Sequence, residues 1–161
     1  MNLKITTVEE LAALYPAPSN KAQHKRLPEL TAALTEKVAR STFCVIASAN
    51  DKAVDCSPRG DAVGQLVKVL DSKTLAIPDR PGSHRLDTAK NIIDNGKVSL
   101  WFLSADWKET VRVSGDAHIS VDPTLLEQFV LDGVLPITVM VIAINEVATH
   151  NDRAVKQSGL F

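Results

Sequence analysis

Two short segments concentrate the residues able to do chemistry. Cys56-Ser-Pro-Arg-Gly-Asp61 carries a hydroxyl, a guanidinium and a carboxylate within six positions. Ile77-Pro-Asp-Arg-Pro-Gly-Ser-His-Arg85 sets two arginines, a histidine and a serine around a Pro-Gly turn. Arginine presents five N–H donors in a planar fork that suits phosphate oxygens, and a serine hydroxyl adds another donor. The second segment closes the apolar run Thr74–Ile77 and leads into the helix-like run Leu86–Asn95. Backbone N–H groups at a helix start lack intrahelical partners and favour negative charge. The chemistry these types and spacings support is the holding of an anion, with Arg59, Arg80, Ser83 and Arg85 as its donors. Gly60 and Gly82 allow close backbone approach.

Other chemistries find less support. There is no G-x-G-x-x-G, no P-loop and no G-x-S-x-G elbow, so the anion must be held by turns and strands. His24, His84, His118 and His150 have no metal-ligand spacing, and no metal is expected. Cys44 and Cys56 are read as two reduced thiols, one at least buried, since free cysteine packs as a small hydrophobe. A net charge of −1 argues against a broad nucleic-acid footprint. The N-terminus has no apolar signal region, and no stretch approaches the roughly 18 apolar residues of a membrane span. The chain therefore reads as cytoplasmic.

The elements that must position these residues follow from periodicity. A helix over 7–15 is predicted from Thr7 and Glu10 at capping-box spacing, followed by a loop from Pro16 to Gln23. A second helix over 27–41 carries Leu30, Ala33, Leu34 and Val38 on one stripe. From Phe43 the period shortens to that of strands: Phe43–Ser48, Ala53–Ser57, Leu66–Leu70, Thr74–Ile77, Val98–Leu103, Glu109–Val121 and Ile137–Val147. Helices are expected over Leu86–Asn95, with Leu86, Ala89, Ile92 and Ile93 on its inner face, and over Asp122–Leu131. Arg112 shares a strand face with Thr110 and Ser114, facing either solvent or a groove. Hairpins dominate and leave little room for parallel crossovers, so 161 residues read as one mainly β domain built on an antiparallel barrel.

Ser57-Pro-Arg-Gly-Asp61, Thr74-Leu-Ala-Ile-Pro-Asp-Arg-Pro-Gly82 and Glu109-Thr-Val-Arg-Val-Ser-Gly115, in that order, resemble the pyridoxamine 5′-phosphate oxidase-like, FMN-binding split-barrel family. The similarity is strongest to its branch of small flavin-nucleotide-binding proteins and runs to the Ala154–Phe161 tail. The chain departs from that branch at Ser83-His84, where Asn-Arg is common. The resemblance implies a six-stranded antiparallel split β-barrel with flanking helices packed on it. It also implies a homodimer with one FMN at each of two sites between subunits. It puts Arg59, Arg80, Ser83 and Arg85 at the phosphate, with His84 beside them. Ser57, Pro58, Ile77 and Asp79 would lie near the ring or ribityl chain. Thr110 and Arg112 would come from the partner subunit. A flavin-dependent oxidoreductase acting on a small molecule is the first functional expectation. A non-enzymatic flavin-binding or storage protein, or a barrel for another anionic cofactor such as haem or a deazaflavin, are its alternatives.

Overall fold

The computed structural model describes residues 4–20, 26–82 and 84–160. Ser83, His24, Phe161 and the end of the predicted 16–23 loop lie outside the described residues. Strands β1 (Arg26–Leu27), β2 (Phe43–Ala49), β3 (Val54–Gly60), β4 (Lys68–Asp71), β5 (Thr74–Asp79), β6 (Lys97–Phe102), β7 (Glu109–Ser120) and β8 (Thr138–Asn151) form one sheet. Its order is β3-β2-β6-β7-β8-β5-β4, with β1 pairing the outer half of β8, and every pair is antiparallel. The ends β3 and β4 do not join, so this is a mainly β, open split barrel. Among the described residues it has eight strands rather than six. The strand missed by periodicity is the two-residue β1, which is too short to carry a period.

Two of the three prolines of the chemical segments, Pro58 and Pro78, lie inside strands rather than in turns. Proline cannot donate to a ladder, so it survives only where one side of a strand is unpaired. Pro58 meets that condition because β3 is an edge strand, paired on one side through Val45↔Pro58. Pro78 meets it because β4 covers β5 only from Thr74 to Ala76. The strands therefore run on through Arg59 and to Asp79, two residues or more past their predicted ends.

The inner face of the sheet encloses a core of Cys44, Ile46, Leu75, Leu100, Phe102, Val111, Val113, Ile142 and Val147, all fully buried. Each such aliphatic or aromatic side chain contributes about 1.5–3 kcal/mol by leaving water. The described residues form the helices α1 (Val8–Ala12), α2 (Ala32–Ala39), α3 (Asp87–Asn95), α4 (Pro123–Glu127) and α5 (Arg153–Ser158). Helix α2 is shorter than the predicted 27–41. Thr31 caps it at Leu34 N, and Pro28 holds Leu27 in the extended pairing with Val147. It docks through Leu34 and Val38. Helix α1 has the expected capping box, but every residue from 4 to 20 is exposed, so it does not pack on this barrel. Helix α4 stops at Glu127, four residues before the predicted end, where the chain turns to bury Phe129.

Helix α3 corrects a second expectation. Its buried residues are Thr88, Asn91 and Ile92, while Leu86 and Ile93 are exposed. Two of the three buried residues are polar because they meet polar partners. Asn91 donates to Ser48 Oγ at 3.0 Å and accepts from Asn50 at 2.7 Å, and Thr88 Oγ1 donates to Asp55 at 3.1 Å. These bonds fix α3 across the open end of β3 and β2, beside the chemical residues. Gly96, at φ 71°, ends the helix in the left-handed conformation that glycine adopts freely. Among the described residues no helix is long and apolar enough to cross a membrane.

Candidate functional site

Alternation along β3 decides which of its side chains can meet a ligand. Asp55, Ser57 and Arg59 are half-buried on the inner face, while Val54, Cys56, Pro58 and Gly60 point outward. Across the ladder the inner set stands opposite Ser48, Ile46 and Cys44. Directly opposed residues share a face, so the three polar groups continue the core face of β2 onto the sheet edge. There the apolar filling ends. A cleft of about 270 Å³ opens between β3 and the start of α3, lined by Asp55, Cys56, Ser57, Pro58, Arg59, Arg85, Asp87 and Thr88.

Arg59 also borders two adjoining hollows. One is a narrow apolar crevice of about 20 Å³ with Ile77, Pro78, Asp79, Ala89, Ile119, Thr138 and Met140. That is room for about one water. The other, of about 120 Å³, is shared with Gly60, Asp61, Leu66, Ile77, Pro78 and Arg80. Arg59 thus stands where three spaces meet. Its Nη1 donates to Asp79 Oδ1 at 3.2 Å, and its buried Nε has no acceptor among the described residues. A buried donor left unpaired is costly, which marks Arg59 as a cation with bonding capacity in reserve.

Arg80 is different. Its Nε donates to Asp61 at 2.7 Å, Nη1 to the Phe129 carbonyl at 2.9 Å, and Nη2 to the carbonyl and Oε1 of Gln65 at 3.3 and 3.2 Å. Four of its five N–H groups are engaged, so in this fold Arg80 ties the turn after β3 to the loop after α4. It lines the hollow of about 120 Å³ with Arg59 but keeps less bonding capacity for an anion than Arg59 does. Arg85 pairs with Asp87 at 3.2 Å on the open side of the cleft and is four-fifths exposed. Such a surface pair is weak and exchangeable. Asp87 itself sits in the first turn of α3, where its negative charge already meets the helix dipole.

Of the residues selected from the sequence, Ser57, Pro58, Arg59 and Arg85 line one cleft, and Ile77 and Asp79 border the crevice beside it. His84 is exposed, at φ 57°, and lines none of these spaces. Thr110 and Arg112 are elsewhere, on β7. Thr110 is buried, and Arg112 donates to Glu146 at 2.8 Å, with Arg26 on the other oxygen of that carboxylate at 3.0 Å. The hydrogen bond from Arg112 is the main reason Glu146 titrates below the ordinary carboxylate range. Asp55, Asp87 and Thr88 were missed by sequence reasoning. The signal for Asp55 was present: it precedes Ser57 and Arg59 by two and four positions on one strand face.

The thiols differ as strongly as the arginines. Burial pushes Cys44 up to about 12, so it stays protonated and inert, whereas Cys56 is exposed on the outer face. Among the described residues no group of three or more His, Cys, Asp or Glu is arranged to hold a metal ion.

The fold is an open antiparallel split barrel with a half-buried arginine in a cleft at its seam. The chain belongs to the pyridoxamine 5′-phosphate oxidase family, whose model matches residues 30–151. Solved structures share the fold. HupZ from Group A Streptococcus superposes with a TM-score of 0.62 at 16% identity, over 76% of this chain and 95% of that one. A candidate pyridoxamine 5′-phosphate oxidase from Lactobacillus delbrueckii gives 0.58 at 21% identity, over 76% and 98%. An FAD-binding protein from Mycobacterium smegmatis gives 0.51 at 16% identity, over 77% and 97%. No curated protein matches the sequence.

Proposed function

We propose that the protein binds FMN as a homodimer and uses it as an oxidoreductase on a small molecule. The observation that carries this reading is Arg59, a family-motif arginine at the meeting of three spaces with a buried donor still unpaired. Charge-assisted bonds from a guanidinium to phosphate are among the strongest a protein makes. Arg59, with Arg85 and the Ser57 hydroxyl in the same cleft, would hold the phosphate. Ser83 would extend that set and His84 would flank it, while Pro58, Ile77 and Asp79 would face the ribityl chain or ring. Bound FMN supplies hydride or electron transfer, and the chain supplies binding, orientation and exclusion of water.

Two features support a second copy. The crevice beside Arg59 has room for about one water, far too little for a three-ring system, so the ring needs another wall. The outer face of β2, β3 and β6 also leaves Phe43, Val54 and Trp101 exposed at 37, 80 and 39%. Large apolar side chains left exposed on one sheet face are suited to an interface. Thr110 and Arg112 would then serve the partner's site.

A second reading, flavin binding without catalysis, is favoured by one observation. The carboxylates of the cleft and of the crevice beside it are all engaged: Asp55 by Thr88, Asp79 by Arg59 and Asp87 by Arg85. Visible absorption of the purified protein after FMN loading and gel filtration tests both readings. A retained flavin spectrum that bleaches with NADH or NADPH and returns in air is the result expected of the oxidoreductase. A retained spectrum that no nicotinamide bleaches favours storage. Colourless protein, or a haem-type band in its place, would overturn both.

A further inference from the structure

We propose that Asp79 is a resident competitor for the anion at Arg59, and thereby the residue that sets which anions the cleft accepts. The inference rests on the reading of Arg59 as the phosphate site.

The Arg59–Asp79 pair is built unlike the pair beside it. Arg80 meets Asp61 at 2.7 Å and three further acceptors. Arg59 meets Asp79 through one contact at 3.2 Å, longer than the usual 2.7–2.9 Å or so of a charge-assisted bond. Both side chains keep access to water, at 28 and 37% exposure. The contact also leaves Arg59 Nε buried without an acceptor, so the paired arrangement is not the one that satisfies this guanidinium. An arginine held in this way can exchange its partner.

Topology lets it do so without disturbing the sheet. Arg59 lies on the edge strand β3, and Asp79 ends β5, beyond the reach of β4. The two strands are not ladder neighbours, and the pair crosses the open seam of the barrel. The backbone of Asp79 is secured separately, its carbonyl accepting from Ile137 N at 2.9 Å. Separating the side chains breaks no ladder bond.

Charge then gives the pair a selective role. Around the cleft two arginines, Arg59 and Arg85, face three carboxylates, Asp55, Asp79 and Asp87, while Arg80 and Asp61 neutralise each other. The cleft is therefore not a general attractor of anions. An incoming carboxylate offers Arg59 nothing that Asp79 does not already provide. A phosphomonoester brings up to two charges and three oxygens, enough to take over the Asp79 contact and engage further donors. Asp79 thus sets a threshold that phosphomonoesters pass and simple carboxylates do not.

Calorimetric titration with FMN, inorganic phosphate and acetate tests this on wild type, Asp79→Asn, Arg59→Gln and the double variant. Asparagine keeps the shape of Asp79 and removes its charge. Asp79→Asn is expected to bind FMN and phosphate on the order of tenfold more tightly, the effect of one charge removed at close range. Acetate binding is expected to become measurable in that variant alone. The gain should vanish in the double variant, because Arg59 is the group released. A merely structural Asp79 would weaken binding when replaced, so wild type that binds FMN beside an Asp79→Asn variant that binds it equally or less tightly overturns this inference. Wild type that binds neither FMN nor phosphate would overturn the reading of Arg59 itself and this inference with it. Asp79→Ser, carried in parallel with thermal melts, keeps the test decisive if the asparagine variant is poorly folded.

Discussion

Arg59, Arg80 and Arg85 are chemically identical, and the acceptors around them separate their roles. Arg80 stands one-fifth exposed against Asp61, with the Phe129 carbonyl and Gln65 completing its shell. Removing it would strand a shielded carboxylate and an inward-facing carbonyl. Arg80→Ala is expected to cost about 3 kcal/mol of stability, read as a lower urea midpoint. Its effect on FMN and riboflavin should be alike. Unchanged stability with a loss confined to FMN would return Arg80 to the phosphate site. This division was not legible in the sequence. The deciding aspartates lie 19 and 20 positions from their arginines, and no local pattern says which carboxylate reaches which guanidinium. What the residues did disclose was the neighbourhood: Ser57, Pro58, Arg59 and Arg85 do line one cleft.

At the scale of elements, the long hairpin of β7 and β8 carries the most exacting constraint. The register shifts between Ser114 and Gly115, bringing the backbone of Ala143 so close that a Cβ on Gly115 would lie 2.1 Å from its carbonyl oxygen. Gly115→Ala must move one strand, and a loss of about 3 kcal/mol or more is expected in thermal or urea unfolding. Near-wild-type stability would mean that the two strands approach less closely than described. The same hairpin bears Glu146, which holds Arg112 on β7 and Arg26 on β1. Its carboxylate titrates low, chiefly through the bond from Arg112. A carboxylate depressed in the folded state stabilises fully above its ordinary value of 4.5 and loses that contribution as pH falls through the folded value. The stability gap between wild type and Glu146→Gln should therefore be widest at neutral pH and close below the ordinary carboxylate range. A gap that persists unchanged into acid would show that charge is not its source.

Periodicity located seven of the eight strands and the start of α3, because alternation and caps are local properties. It misjudged the ends of β3 and β5, since Pro58 and Pro78 read as breakers unless the unpaired side of each strand is known. It also set the inner face of α3 off-centre: Ile92 is buried as expected, but Leu86 and Ile93 are exposed. Thr88 and Asn91 are buried against Asp55, Ser48 and Asn50, partners that only the tertiary arrangement supplies.

At the scale of the molecule, the open seam explains why the proposed anion site would lie beside Arg59. The core face of the sheet continues onto an edge strand where apolar filling stops, and polar groups of β3 meet those of α3 across an open cleft. The outward apolar face of β2, β3 and β6 supports assembly of two such barrels. Light scattering is expected to give a particle near twice the 17.4 kDa chain, and a clean monomer that still bound FMN would contradict the shared site. The central claim, that Arg59 receives a phosphate, is tested most directly by comparing FMN with riboflavin, which differ by that phosphate alone. Affinities measured by flavin fluorescence for wild type and Arg59→Ala should show FMN weakened by about 1.5–3 kcal/mol and riboflavin nearly unchanged. Equal losses for the two ligands, or none for either, would contradict it.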